Sequence, residues 1–245
     1  MISFFYTYLY IPIYNLLVFL VDTVPGGDIG LAVVLATIIV KLILMPLSLR
    51  AAHTQRQMKL IEADLKHIRE KYKDDREQQA KEMLALYRAN NIKPFASIFG
   101  VLIQIPIVLT LYFVFNREAL LNIDPSLLYS FIPVPETVSP LFLGLFAVAG
   151  SSLMLAILAA LAQFALAHVS IPVPKPKKGE KPTATEDFGR MMALQARFVL
   201  PVIIGTVAFT SGAIALYFIT SSLVGLVQEY VVRRMKHPEA QSKKG

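Results

Sequence analysis

The sequence predicts an all-α membrane protein with five transmembrane helices, a cytoplasmic antiparallel helical hairpin and an N-terminal interfacial helix on the outer side. Three observations carry this prediction. The 245 residues are 55% hydrophobic and 17% charged, with a mean hydropathy of +0.56, against roughly 45–50% apolar and about 25% charged in a soluble domain. Uncharged windows of span length recur along the chain. Lys and Arg cluster in alternate connections between those windows. Cysteine is absent, which excludes disulfides, thiolate metal sites, a thiol nucleophile and a lipid-modified N-terminal cysteine.

The N-terminal stretch carries no Lys or Arg before Lys41. Ile2–Val21 is apolar enough to span, but Tyr6, Tyr8, Tyr10, Pro12, Tyr14 and Asn15 suit a headgroup interface better than a bilayer centre. A surface helix over Ile13–Thr23 is therefore expected within an outer segment 1–28, stopped by Pro25-Gly26-Gly27. A sixth span, placing the N-terminus inside, is the alternative. The basic start and small-residue cleavage site of a signal peptide are missing. A crossing helix needs about 20 apolar residues. Residues 29–49 form the first such window, with Lys41 as its one charge, and residues 95–115 the second, with none. Residues 141–169 form the third. The last window, Phe198 to Val232, is too long for one span and is broken at Thr210-Ser211-Gly212, so it resolves into 191–209 and 213–232.

Orientation follows from Lys and Arg placement. Residues 50–94 hold eleven and residues 170–190 five, whereas the loop 116–140 holds only Arg117 and the turn at 210–212 holds none. The tail 233–245 holds five more. Only an N-outside, C-inside arrangement fits five spans to that alternation. Within 50–94, Met58, Ile61, Leu65, Ile68 and Tyr72 repeat at coiled-coil spacing. The pattern breaks at Lys73-Asp74-Asp75 and resumes at Ala80, Met83 and Tyr87, which reads as two antiparallel helices. Arg69, Lys71, Lys73 and Arg76 at its tip are candidates for docking ribosomal RNA, anionic lipid or a targeting factor, set against a merely solvated helical surface. Residues 171–187, IPVPKPKKGEKPTATED, offer no apolar face and read as a flexible basic loop.

Lys41 is the most informative residue. It precedes Arg50 by nine positions, about 13 Å along a helix, which is near the middle of the hydrocarbon. An ammonium there costs about 2.5–3.5 kcal/mol on insertion scales, and a lysine stem of about 6 Å is too short to snorkel out. The physical solution is a hydrated groove with polar walls. The spans supply Thr37, Gln104, Asn116, Gln163, Thr206, Thr220, Ser221 and Ser222, each of which could also serve only helix–helix hydrogen bonding. No Gly-rich phosphate loop is present. The four histidines show no metal-ligand spacing, so no metal or cofactor is expected. Ser211 and His168 fall at opposite ends of their spans, which argues against a serine protease. A small anion-binding transporter built on Lys41 is a second reading, although the internal repeats of transporters are missing. A structural assembly factor is a third.

The run Ile38-Ile39-Val40-Lys41-Leu42-Ile43-Leu44-Met45-Pro46-Leu47 resembles the first core span of the YidC family of membrane protein insertases. The likeness continues through Lys81-Glu82-Met83-Leu84-Ala85-Leu86-Tyr87, Asn91-Ile92-Lys93-Pro94, Leu102-Ile103-Gln104-Ile105-Pro106-Ile107 and Ser211-Gly212-Ala213-Ile214-Ala215-Leu216-Tyr217. It covers the chain from about Tyr10 to Arg234, in the short form of the family. The resemblance implies a five-helix core around a hydrophilic groove open to cytoplasm and lipid. The groove carries a cation, normally arginine and here Lys41, with Thr37 one turn earlier and the aromatic pair Tyr217 and Phe218. It further implies nascent membrane proteins as substrates, with the ribosome, a Sec-type translocon and targeting factors as partners of a monomer. No covalent step, and hence no enzyme activity, is implied. Substrate-binding candidates are thus Lys41, Thr37, Gln104, Tyr217, Thr206 and Ser221.

Overall fold

The computed structural model describes residues 5–92, 106–114, 120, 122–171, 173 and 184–234. They divide into two compact units, one of residues 1–41 and 108–245 and one of residues 42–107. The helices are α1 (Ile11–Thr23), α2 (Ile29–Leu60), α3 (Glu62–Lys71), α4 (Arg76–Ala89), α5 (residues 106–114), α6 (Leu153–Ser170), α7 (Ala184–Phe209) and α8 (Gly212–Arg234). A two-stranded antiparallel pair, β1 (Leu141–Phe142) and β2 (Phe146–Ala147), is the only sheet among the described residues. Among the described residues, four helices are long and apolar enough to cross a membrane: Ile29–Arg50, Leu153–Ser170, Arg190–Phe209 and Gly212–Arg233. The expected span 95–115 lies largely outside the described residues, as do the lysines of the 170–190 loop and the tail beyond Arg234.

In the larger unit, α6 packs between α7 and α8. The contact surfaces use small residues, as expected where lipid is as apolar as leucine and close backbone approach must supply the attraction. Gly205 of α7 faces Ala160 of α6, and Gly225 of α8 faces Leu166; an added Cβ would crowd both. The opposite faces are apolar and open, with Ile157, Leu161, Val202, Ile203, Leu223 and Val227 all exposed. That is the inverse of a soluble bundle and suits a lipid solvent.

One end of this unit is tied together by residues 139–152. Ile29 N–H donates to Ser139 C=O at 3.1 Å, and Ser139 N–H donates to Gly27 C=O at 2.8 Å. Gly212 N–H donates to Gly150 C=O at 2.9 Å and Ala213 N–H to Val148 C=O at 3.0 Å. Ser152 caps α6, accepting from Leu155 N–H at 3.4 Å. The N-termini of α2, α6 and α8, whose first N–H groups have no partner within the helix, thus meet on one strip of backbone. Asp28 completes it: one carboxylate oxygen accepts from Leu31 N–H at 2.9 Å, the other from Leu143 N–H at 2.7 Å. Phe142 sits so close to Gly30 that a side chain there would overlap it.

This strip corrects one expectation. The third span does not start at residue 141; the helix begins at Leu153. The backbone turns back at Leu143 and Gly144, whose φ angles are 53° and 71°, and opens again at Gly150 with φ 85°. Left-handed positions of this kind interrupt a helix whatever the hydropathy. Other bounds differ too: the helix holding the first span runs on to Leu60, and the N-terminal helix begins at Ile11, preceded by a π turn over Tyr6–Tyr10. That helix is fastened by Asn15, which donates to Leu127 C=O at 2.8 Å and accepts from Tyr129 N–H at 2.7 Å. Tyr14 accepts from Asp124 N–H at 3.1 Å. Hydrogen bonds from the Ser126 hydroxyl and N–H hold the Asp124 carboxyl below the usual carboxylate range.

The smaller unit contains α3 and α4, joined by a turn at Tyr72–Asp75. Ile61, Leu65 and Ile92 are buried together, flanked by Met58, Met83, Leu86 and Tyr87. Asp75 caps α4, accepting from Gln78 N–H at 2.9 Å, and the Gln79 side chain reaches back to the Arg69 and Tyr72 carbonyls.

Asp28→Ala removes both the helix cap and the tie to Leu143, whereas Asp28→Asn keeps one acceptor oxygen. Loss of a cap costs about 1 kcal/mol. We expect the thermal midpoint in detergent to fall in the order wild type, Asn, Ala, read by intrinsic fluorescence or light scattering.

Candidate functional site

The described substrate-binding candidates fall on three helices of the larger unit, α2, α7 and α8. On α2, Ile29, Val33, Thr37 and Lys41 stand at four-residue intervals and so share one face. Ile29, Val33 and Thr37 are buried and Lys41 is half-buried, while Leu42 and Ile43 beside it are exposed. Lys41 therefore continues the inward-facing row of α2. Thr37 donates its hydroxyl to Val33 C=O at 2.7 Å, which satisfies its proton and leaves oxygen lone pairs available. On α8, Tyr217 and Ser221 form a second one-face pair, both buried, with Thr220 and Ser222 also buried. Tyr217 meets Phe218 edge-on, ring centroids 5.3 Å apart.

The structure brings together Thr37 with Lys41, and Tyr217 with Ser221, each pair within one helix. Thr206 stands apart: it is exposed on α7, and its hydroxyl donates to Val202 C=O at 3.0 Å. Gln104 lies outside the described residues. Gln163, read from sequence as groove wall, accepts from the Ser222 hydroxyl at 3.0 Å and so links α6 to α8. Arg69, Lys71, Lys73 and Arg76 are all exposed around the α3–α4 turn, with the Lys71 ammonium 5.0 Å from the Tyr72 ring centre.

Sequence reasoning missed a clasp at the far end of α6. Arg197 of α7 donates to His168 C=O at 3.2 Å and Ile171 C=O at 2.6 Å. Arg233 of α8 donates to Val169 C=O and pairs with Glu229 at 2.9 Å. The last carbonyls of a helix lack partners within it and carry its negative dipole end, so guanidinium groups from two neighbouring helices meet the carbonyls at this end and fix three helices at one level. The signal was present in the sequence: Arg197 is a charge among apolar residues, and such a charge marks a specific partner.

These features define a multi-pass helical membrane protein with a polar, cation-bearing face inside one span and a separate small helical unit. Comparison with known proteins narrows the class. The family model described as 60Kd inner membrane protein matches residues 20–240, and the chain belongs to that family, the YidC family. It is similar to the membrane protein insertase YidC of Fusobacterium nucleatum subsp. nucleatum, 25% identical over 93% of this chain and 98% of the relative. The membrane protein insertase YidC of Clostridium tetani is 26% identical over 90% of this chain and 89% of its own length. That of Francisella tularensis subsp. novicida is 29% identical over 89% of this chain and 34% of its own, longer sequence.

Replacing Arg197 by Met should loosen the last turn of α6. We expect faster amide hydrogen exchange at residues 168–171, with Arg197→Lys recovering part of the protection because one nitrogen makes both bonds and a lysine ammonium also has donors for two carbonyls.

Proposed function

We propose that this protein is a membrane protein insertase and chaperone of the cell membrane. It moves short hydrophilic segments of nascent membrane proteins partway across the bilayer and releases their apolar spans into lipid. The observation that carries this reading is Lys41, a cation on the inward-facing row of a membrane-length apolar helix. It lies about 18 Å along the axis from Ile29, a depth at which a cation is costly and marks a polar, functional site. The names of the relatives support the same reading.

The mechanism needs no covalent step. Thr37, Lys41, Tyr217 and Ser221 line a hydrated groove that opens to the cytoplasm and to lipid. Water drawn to the groove shortens the roughly 30 Å of hydrocarbon that a polar segment must cross. The Lys41 ammonium attracts carboxylates of an acidic N-terminal tail; at about 4 Å and an effective dielectric of 20 the attraction is about 4 kcal/mol before desolvation. That suffices for transient capture, and not for trapping. Sideways transfer of the substrate's apolar span into lipid then supplies the drive, aided by the membrane potential acting on acidic segments.

The topology proposed with this function places the N-terminal helix on the outer surface and both the α3–α4 pair and the C-terminal tail in the cytoplasm, following the Lys and Arg distribution. The exposed Arg69, Lys71, Lys73 and Arg76 then face ribosomes carrying nascent chains, with a Sec-type translocon as a companion of the monomer.

Lys41→Glu should reduce insertion of single-span substrates with acidic tails at least tenfold in reconstituted vesicles, while Lys41→Arg retains it. Normal insertion by the Glu variant would reject the groove charge. Reversing all four basic residues at the α3–α4 turn to Glu should weaken co-sedimentation with ribosomes, and the wild-type interaction should fade as salt rises.

A further inference from the structure

Residues 137–152 carry no charged side chain, yet the helix starts only at Leu153. The β1–β2 hairpin within this stretch turns its large apolar side chains outward: Leu143 is 61% exposed and Leu145 75%. Its turn is closed by Leu145 N–H donating to Phe142 C=O at 3.0 Å, with Leu143 and Gly144 both in the left-handed region. Those two positions normally hold Asn, Asp or Gly. A leucine at the first of them is strained in its backbone and, in water, unfavourably exposed as well. An outlier of this kind points to a use for the side chain.

The hairpin's position says what that use is. Asp28 and Ser139 bond it to the first turn of α2, and Val148 and Gly150 bond it to the first turn of α8. Its chain runs on through a short turn into α6, whose first residues Leu153 and Met154 are themselves exposed. The 18 residues of α6 span about 27 Å, less than the roughly 30 Å hydrocarbon thickness. The hairpin therefore sits where three spans begin, at a level that hydrocarbon and headgroups still occupy. Its leucines continue the lipid-facing surface of those spans.

We propose that the Leu141–Ala147 hairpin is a lipid-inserted wedge. Leu143 and Leu145 are sunk among the headgroups and upper acyl chains of the leaflet at the N-terminal ends of α2, α6 and α8, the outer leaflet by the Lys and Arg distribution. The wedge holds the backbone strip over the three helix ends at a fixed depth. This inference rests on the four membrane-length helices and is independent of the insertase reading.

The full chain has no native cysteine, so single cysteines at Leu143, Leu145, Glu136 and Leu158 can each carry an environment-sensitive NBD probe. Each variant is reconstituted in phosphatidylcholine–phosphatidylglycerol vesicles with and without lipid bearing a nitroxide on its upper acyl chain. Leu158, on the exposed face of α6, reports lipid, and Glu136, exposed in the preceding loop, reports water. We expect blue-shifted emission at positions 143 and 145, with quenching at least half that at 158 and several times that at 136. The position 145 probe is repeated with Leu143→Asn, a residue that accepts the left-handed turn, so that a disturbed tip is not mistaken for a dry one. Emission and quenching at 145 equal to those at 136 in both backgrounds, with 158 still quenched, would overturn the wedge and assign the leucines to a protein partner instead. Insertion activity enters neither outcome.

Discussion

Hydrocarbon offers no hydrogen bonds, so every polar atom placed in or beside it must find its partner within the protein. Helix interiors meet this demand automatically; helix ends do not. The larger unit of this chain is organised by that residue of unsatisfied backbone. At one end, the open N–H groups of α2 and α8 are taken up by carbonyls of residues 139–150 and by Asp28, while Ser152 caps α6. At the other, the last carbonyls of α6 are taken up by Arg197 and Arg233. Each device joins helices that small residues alone bring into contact.

The same constraint explains why Lys41 can be functional. Hydroxyl groups such as those of Thr37 and Thr206 can discharge their protons onto their own helix carbonyls and so cost little in an apolar setting. An ammonium carries three donors and a full charge, so the same depth costs it far more. On the function proposed above, water drawn to Lys41 also serves a crossing hydrophilic segment.

Two parts of the chain follow different solvents. Around the α3–α4 pair, Ile61, Leu65 and Ile92 are enclosed and Arg69, Lys71, Lys73 and Arg76 stand outward, the ordinary pattern in water. In the α6–α8 bundle, Gly, Ala, Ser and Gln lie inward while Leu, Ile and Val stand outward. A single chain carries both patterns because its hydrophobic period changes character after the first span, from an unbroken apolar window to a stripe of one residue in three or four.

Much of this was legible in the order of residues. Apolar windows fall on the membrane-length helices within α2, α7 and α8, since length and hydropathy are properties of local sequence. The coiled-coil stripe marked Ile61 and Leu65, and Lys41 announced itself as a charge in an oily run. Hydropathy could not say where α6 begins, because residues 141–152 are as apolar as a span; left-handed backbone at Leu143, Gly144 and Gly150 excluded the helix there. Nor could it separate Thr206, turned outward, from Ser222, bonded to Gln163, because both are hydroxyl residues in apolar helices. The roles of Asn15, Asp28, Arg197 and Arg233 depend on carbonyls and N–H groups far away in the chain. Local sequence determined which segments avoid water. Only the tertiary structure decided which helix ends meet, since that is settled by backbone groups every residue carries alike.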